Sequence, residues 1–166
     1  MLARRHTLLL VVVVTLAEAA HLFWEQGHGG IRAHHLLNNP DLPAISNAWG
    51  MLLLPLLAWA AAKDIARRGV SVRWAAAGVV AAAAIGLAVV ALFLTHQDSL
   101  AGDLLLAVIV LGCVLPLYRP HLLLGFVLAM TWTFGAVLPT LIGLAIAAIS
   151  AVANGLWRLL RAYWRR

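Results

Sequence analysis

Long apolar runs separated by short polar clusters make up nearly all of this chain, and within the runs the apolar residues are continuous rather than alternating as in a half-buried strand. Each run is close to the roughly 20 residues that a helix needs to cross bilayer hydrocarbon. Lipid admits only helices or closed barrels, so the pattern predicts an all-α bundle of transmembrane helices. Arg4 and Arg5 precede a first span at 7–25. The stretch 26–42 is too polar and glycine-rich to continue it and reads as an outer loop. A second span covers 43–62, with Asp41 near its start as a cap and Pro55 inside it, which deprives the Met51 carbonyl of its usual donor. Spans at 74–95 and 100–118 follow, joined by a tight outer turn.

The remaining apolar stretch, from His121 to Trp157, is too long for one comfortable span. It is either a single tilted helix, giving five spans in all, or a hairpin broken near Phe134-Gly135 and Pro139. Charge decides between them. A hairpin with spans 121–137 and 139–157 puts eleven of the twelve Lys and Arg residues on the cytoplasmic side and leaves only Arg32 outside, whereas one helix retains seven. Short loops orient by their basic residues, so six spans are expected in a single polytopic domain, 1–166. A basic tail, 158–166, would lie in the cytoplasm with Trp157, Tyr163 and Trp164 at headgroup level. Arg4-Arg5, the run 8–14 and Ala17-Glu18-Ala19 also have the three-part form of a secretory signal with its cleavage site. The apolar stretch continues past that site, and the segment is read as a retained first helix.

Composition strengthens this picture. A hydrophobic fraction of 64% and a mean hydropathy of +0.96 over 166 residues exceed what soluble domains carry. The net charge of +6 is dispersed in short clusters between apolar runs, which reads as a topology signal and excludes nucleic acid as the expected partner. Abundant Ala, Leu, Val and Arg with a single lysine, Lys63, point to a GC-rich bacterial genome and an inner membrane location. Cys113 is the one cysteine, so an intrachain disulfide and a thiolate metal cluster are both ruled out. There is no P-loop, dinucleotide fingerprint or H-E-x-x-H motif.

The candidate chemistry gathers at the outer face, where five of the seven histidines and five of the six carboxylates are expected. On the first helix Glu18, His21, Glu25 and His28 fall within an arc of about 80°. Glu18 lies well inside the apolar run, where a carboxylate costs about 2.5–3.5 kcal/mol unless paired or neutralised. His21 is its nearest helical neighbour. The loop adds His34-His35 on a stretch, 31–37, that suits two turns of interfacial helix, followed by an Asn38-Asn39-Pro40-Asp41 turn. Adjacent residues of a helix point about 100° apart, so one of the two histidines would face the site. His96, Asp98 and Asp103 come from the second outer turn and the start of the fourth span.

Two readings compete. Outer loops must be polar, Lys and Arg are excluded from them by topology, and His, Asp and Glu fill the vacancy; that account suits His28, Asp98 and the lone His96. Glu18, His21 and Asp103 sit within apolar runs, where membrane energetics favour function. The leading expectation is an outward-facing His/carboxylate pocket with a metal ion, zinc, iron or manganese, held by Glu18, His21, one of His34 or His35, and Asp103. Glu25, His28, Asp41, His96 and Asp98 would line its rim. Such an ion would activate water or oxygen on a lipid-like substrate. The alternatives are a proton- or cation-handling transporter component, or a non-catalytic scaffold subunit. Membrane lipids are the expected partners, and six helices make so small a carrier that a homodimer or a partner membrane subunit is expected as well.

Overall fold

A computed structural model describes residues 2–35, 41 and 43–165. Among these the chain is all-α apart from one short strand pair. Its six helices are α1 (Leu2–Gly27), α2 (Gly50–Arg68), α3 (Val72–Leu94), α4 (Asp98–Val114), α5 (Pro120–Phe134) and α6 (Val137–Trp164). Four helical segments are long and apolar enough to cross a membrane: Thr7–Gly27, Asn47–Arg68, Val72–Leu94 and Val137–Trp164. The stretch after His121 forms two helices, because Gly135 takes a positive φ of 69° that ends α5.

The boundaries follow local chemistry. Ser71 caps α3 by accepting from the Trp74 N–H at 3.4 Å. Gly69, left-handed at φ 64°, closes α2. Pro120 opens α5, where its missing N–H costs nothing. The second helix starts at Gly50 rather than 43, and Asp41 does not cap it. Instead, β1 (Ala33–His35) pairs antiparallel with β2 (Ala44–Ser46), His34 lying opposite Ile45. Ser46 then accepts from the Ala48 N–H and opens a single 3-10 turn, Asn47–Trp49. The expected interfacial helix is therefore replaced by a strand over 33–35, because Ala44–Ser46 offers a backbone ladder that an isolated two-turn helix lacks. Residues 36 and 37 and the Asn38-Asn39-Pro40 part of the expected turn lie outside the described residues.

Helix α5 is the centre of the bundle. His121, Leu123, Leu124, Phe126, Val127, Met130 and Thr131 are all buried on it, against α3, α2 and α6. Its approach to α3 is close enough that a Cβ on Gly125 would overlap the Val79 carbonyl, and one on Gly86 would sit 2.9 Å from the Phe126 carbonyl. Helix α1 packs on α2, and α4 packs on α6. Polar side chains fasten that second pair. Ser150, fully buried on α6, donates to the Leu115 carbonyl at 2.9 Å and accepts from the Leu117 N–H at 3.0 Å. Asn154 donates to the carbonyls of Gly112 and Leu115. These bonds take up the backbone groups that α4 leaves unpaired where Pro116 stops it. The outward faces of the helices carry large exposed apolar side chains, among them Leu9, Val13 and Leu16 on α1 and Leu106, Val110 and Val114 on α4.

Candidate functional site: a histidine between two carboxylates

Glu18, His21 and Glu25 stand on one face of α1, three and four residues apart, and that face is the one applied to α2. All three are buried, with exposures of 3%, 7% and 1%. His21 is the hub. Its Nδ1 lies 3.3 Å from Glu18 Oε2, and its Nε2 lies 3.5 Å from Glu25 Oε1. Nδ1 is within hydrogen-bond distance of Glu18, whereas Nε2 is buried with no hydrogen-bond partner among the described residues and has the Glu25 carboxylate as its neighbour.

The two carboxylates are held differently. Glu25 accepts from the Asn47 side-chain amide at 2.7 Å and from the Arg32 N–H at 3.2 Å, and is thereby tied to the strand pair and the entry of α2. Glu18 Oε1 is buried with no partner among the described residues and lies against Gly50, where a Cβ would collide with it. Only glycine at the first position of α2 lets the carboxylate in. Aromatic rings roof the cluster. The Trp132 indole of α5 stands 4.6 Å from the His21 ring, Trp24 is 5.0 Å from Trp132, and the His28 ring stacks on Trp24 at 4.4 Å. The Arg32 guanidinium closes the row, 5.9 Å from the Trp24 ring. His28 itself is exposed and its Nδ1 bonds to the Trp24 carbonyl at 2.7 Å.

Adjacent residues of a strand point to opposite faces. His34 is accordingly half-buried while His35 is exposed. Its environment holds the His34 imidazole below the ordinary value, burial being the main cause and Arg32 adding to it, with Glu25 opposing. His34 Nε2 is buried without a partner among the described residues. His34, Asn47 and the Phe134-Gly135-Ala136 turn line a small cavity of about 10 Å³, the space of about one water.

The remaining sequence-derived candidates do not join this cluster. Asp103 is exposed on α4, whose main packing is with α6 and α3 rather than α1. Asp98 is exposed at the head of the same helix and lines a 320 Å³ cavity with Phe93, Met130 and Phe134. His96 occupies the preceding turn at a positive φ of 57°, and Asp41 is exposed beside the strand pair. Among the described residues no three His, Cys, Asp or Glu side chains are disposed to hold a metal ion.

Two residues of the cluster, Asn47 and Trp132, are ones that the sequence does not assign to the site, and Glu25, expected at its rim, stands beside His21 at its centre. His121, at the start of α5, is 4% exposed and rests on Gly78 of α3. No protein-family model, curated protein or solved structure matches the chain.

Proposed function

We propose that this is a multi-pass protein of the bacterial inner membrane, both termini cytoplasmic, that takes up and passes on protons at its outer side through Glu25, His21 and Glu18. The observation that carries this is the His21 ring lodged between two buried carboxylates. An imidazole with a carboxylate on either side offers a proton a row of neighbouring acceptors, which is what a relay requires. His34 and the water-sized cavity beside Asn47 form the approach from outside, Glu25 is the entry, and Glu18, with an unpartnered oxygen deeper in α1, is the inner terminus. In this reading the protein is a transporter component that couples to proton movement.

A metal centre, as anticipated from the Glu18–His21 pair, is less well supported. Both nitrogens of His21 are directed to carboxylates, Asp103 stands apart, and the neighbouring cavity has no room for a lipid-like substrate. Reconstitution in liposomes carrying a pH-sensitive dye tests the relay. The wild-type protein is expected to dissipate an imposed pH gradient, and Glu18→Gln and His21→Gln to abolish that flux while the protein remains folded. Elemental analysis of the same samples separates the alternatives. Stoichiometric metal that vanishes in both variants would establish the metal centre instead. Normal metal-free samples without flux would leave a scaffold subunit.

A further inference from the structure

The end of the bundle opposite the histidine cluster carries a second built hollow. Its volume is about 260 Å³ and it is lined by Val114 of α4 and by Asn154, Trp157, Arg158 and Arg161 of α6. Its lining contains no carboxylate, and no Asp or Glu side chain occurs anywhere from residue 104 to 166. Arg158 and Arg161 are three apart on one helix and so face the same side, an arrangement that repels unless an anion stands between them. Arg158 is not free to swing away, because its guanidinium donates to the Tyr118 hydroxyl at 2.7 Å from the α4–α5 connection. Asn154 is likewise fixed by its amide bonds to the α4 carbonyls, which holds this part of α6 in place.

The composition of the hollow identifies its occupant. Two guanidiniums match the planar, multidentate bonding of a phosphate. Trp157, about half exposed, is a ring of the kind that settles at the boundary of headgroup and hydrocarbon. Val114 supplies an apolar floor on the lipid-facing side of α4. A free phosphate has no use for the floor or the ring, whereas an anionic phospholipid uses all three.

We infer that this hollow binds the phosphodiester headgroup of an anionic phospholipid in the cytoplasmic leaflet, with Arg158 and Arg161 on the phosphate and the first methylenes against Val114. This rests on the membrane reading above but is independent of the proton relay. Each arginine is expected to contribute about fivefold to retention of the lipid.

The test is native mass spectrometry of the full-length protein released from nanodiscs of phosphatidylglycerol and phosphatidylcholine. Wild type should retain one phosphatidylglycerol in preference to phosphatidylcholine, and 10 mM inorganic phosphate, roughly three orders above the concentration of such a protein sample, should not displace it. Arg158→Gln/Arg161→Gln should lose at least fivefold of that retention. Arg67→Gln/Arg73→Gln, which removes the same charge from exposed positions in the last turn of α2 and the first turn of α3, should retain the lipid. Tyr118→Phe, which changes no charge but releases Arg158, should fall between them. Equal retention of the two lipids by wild type, or equal loss in the two double variants, would overturn the inference. Displacement by inorganic phosphate would show a bare anion site and overturn it too. Recovery of the protein in the soluble fraction after carbonate washing would instead remove the membrane reading itself.

Discussion

The side-chain amide of Asn47 donates to Glu25 across 2.7 Å, joining residues 22 apart in sequence and fastening the entry of α2 to the C-terminal end of α1. Both groups are almost wholly buried. A carboxylate at such depth is tolerated because donors reach it, and the donors come from the loop rather than from α1. Asn47→Ala leaves Glu25 with the Arg32 N–H as its remaining bond and should cost about 1–3 kcal/mol. The measurement is thermal unfolding in detergent, where the variant should melt several degrees below wild type; an unchanged midpoint would mean the bond holds nothing.

Gly50→Ala tests the seat of Glu18. A Cβ at this position collides with Glu18 Oε1, so either the carboxylate turns away from His21 or α1 moves off α2. Overpacking of this kind costs about 1–3 kcal/mol. Glu18→Ala in the same chain removes the obstructing oxygen, and the double variant should recover part of the stability lost in Gly50→Ala. Failure to recover any would place the clash elsewhere.

The strand pair should loosen in mild acid. Burial holds the His34 imidazole below its ordinary value, so between that lowered value and about 6.5 the unfolded chain binds more protons than the folded one. The contribution of His34 to stability is then fully present above about pH 6.5 and falls as the pH drops towards the folded value. Melting midpoints of wild type and His34→Asn, followed from pH 8 to pH 5, should diverge on this acidic side, with wild type declining more. Parallel curves would refute the effect.

Ser150→Ala strikes the α4–α6 seam. It removes a donor to the Leu115 carbonyl and an acceptor for the Leu117 N–H at a site with no exposure. The expected cost is about 1–2 kcal/mol, and hydrogen exchange should rise at 111–118 while α1 and α2 stay protected. Uniform loss of protection would indicate that the seam is not a local fastening.

The sequence was most informative about positions within one helix. The stripe of Glu18, His21 and Glu25 could be read because helical spacing alone puts them on one face. Position along a helix was legible too, since His96 and Asp103 do fall at the start of α4, but lateral position was not. Hydrophobic periodicity says little about which helices are neighbours when nearly every face is apolar, and Asp103 was therefore grouped with a helix from which it is separated. The strands could not be foreseen, because three residues are too few to display alternation and their pairing is set by a segment eleven residues away. The burial of His121 is likewise invisible in the sequence, because a helix end meets water only if no other helix covers it, and α3 does.

The strand pair has a consequence for the shortest of the six helices. Helix α5 has 15 residues, about 22 Å of rise, short of the roughly 30 Å thickness of hydrocarbon. What lies over its C-terminal end, at Gly135, is the sheet: a Cβ on Gly135 would strike Asn47 and come within 3.5 Å of the His34 ring. The ladder pairs Ala33 with Ser46, His34 with Ile45 and His35 with Ala44, which holds the two strands together over that end. The small sheet thus acts as a stopper on a truncated central column, and deleting 33–35 should speed hydrogen exchange at the C-terminal turn of α5.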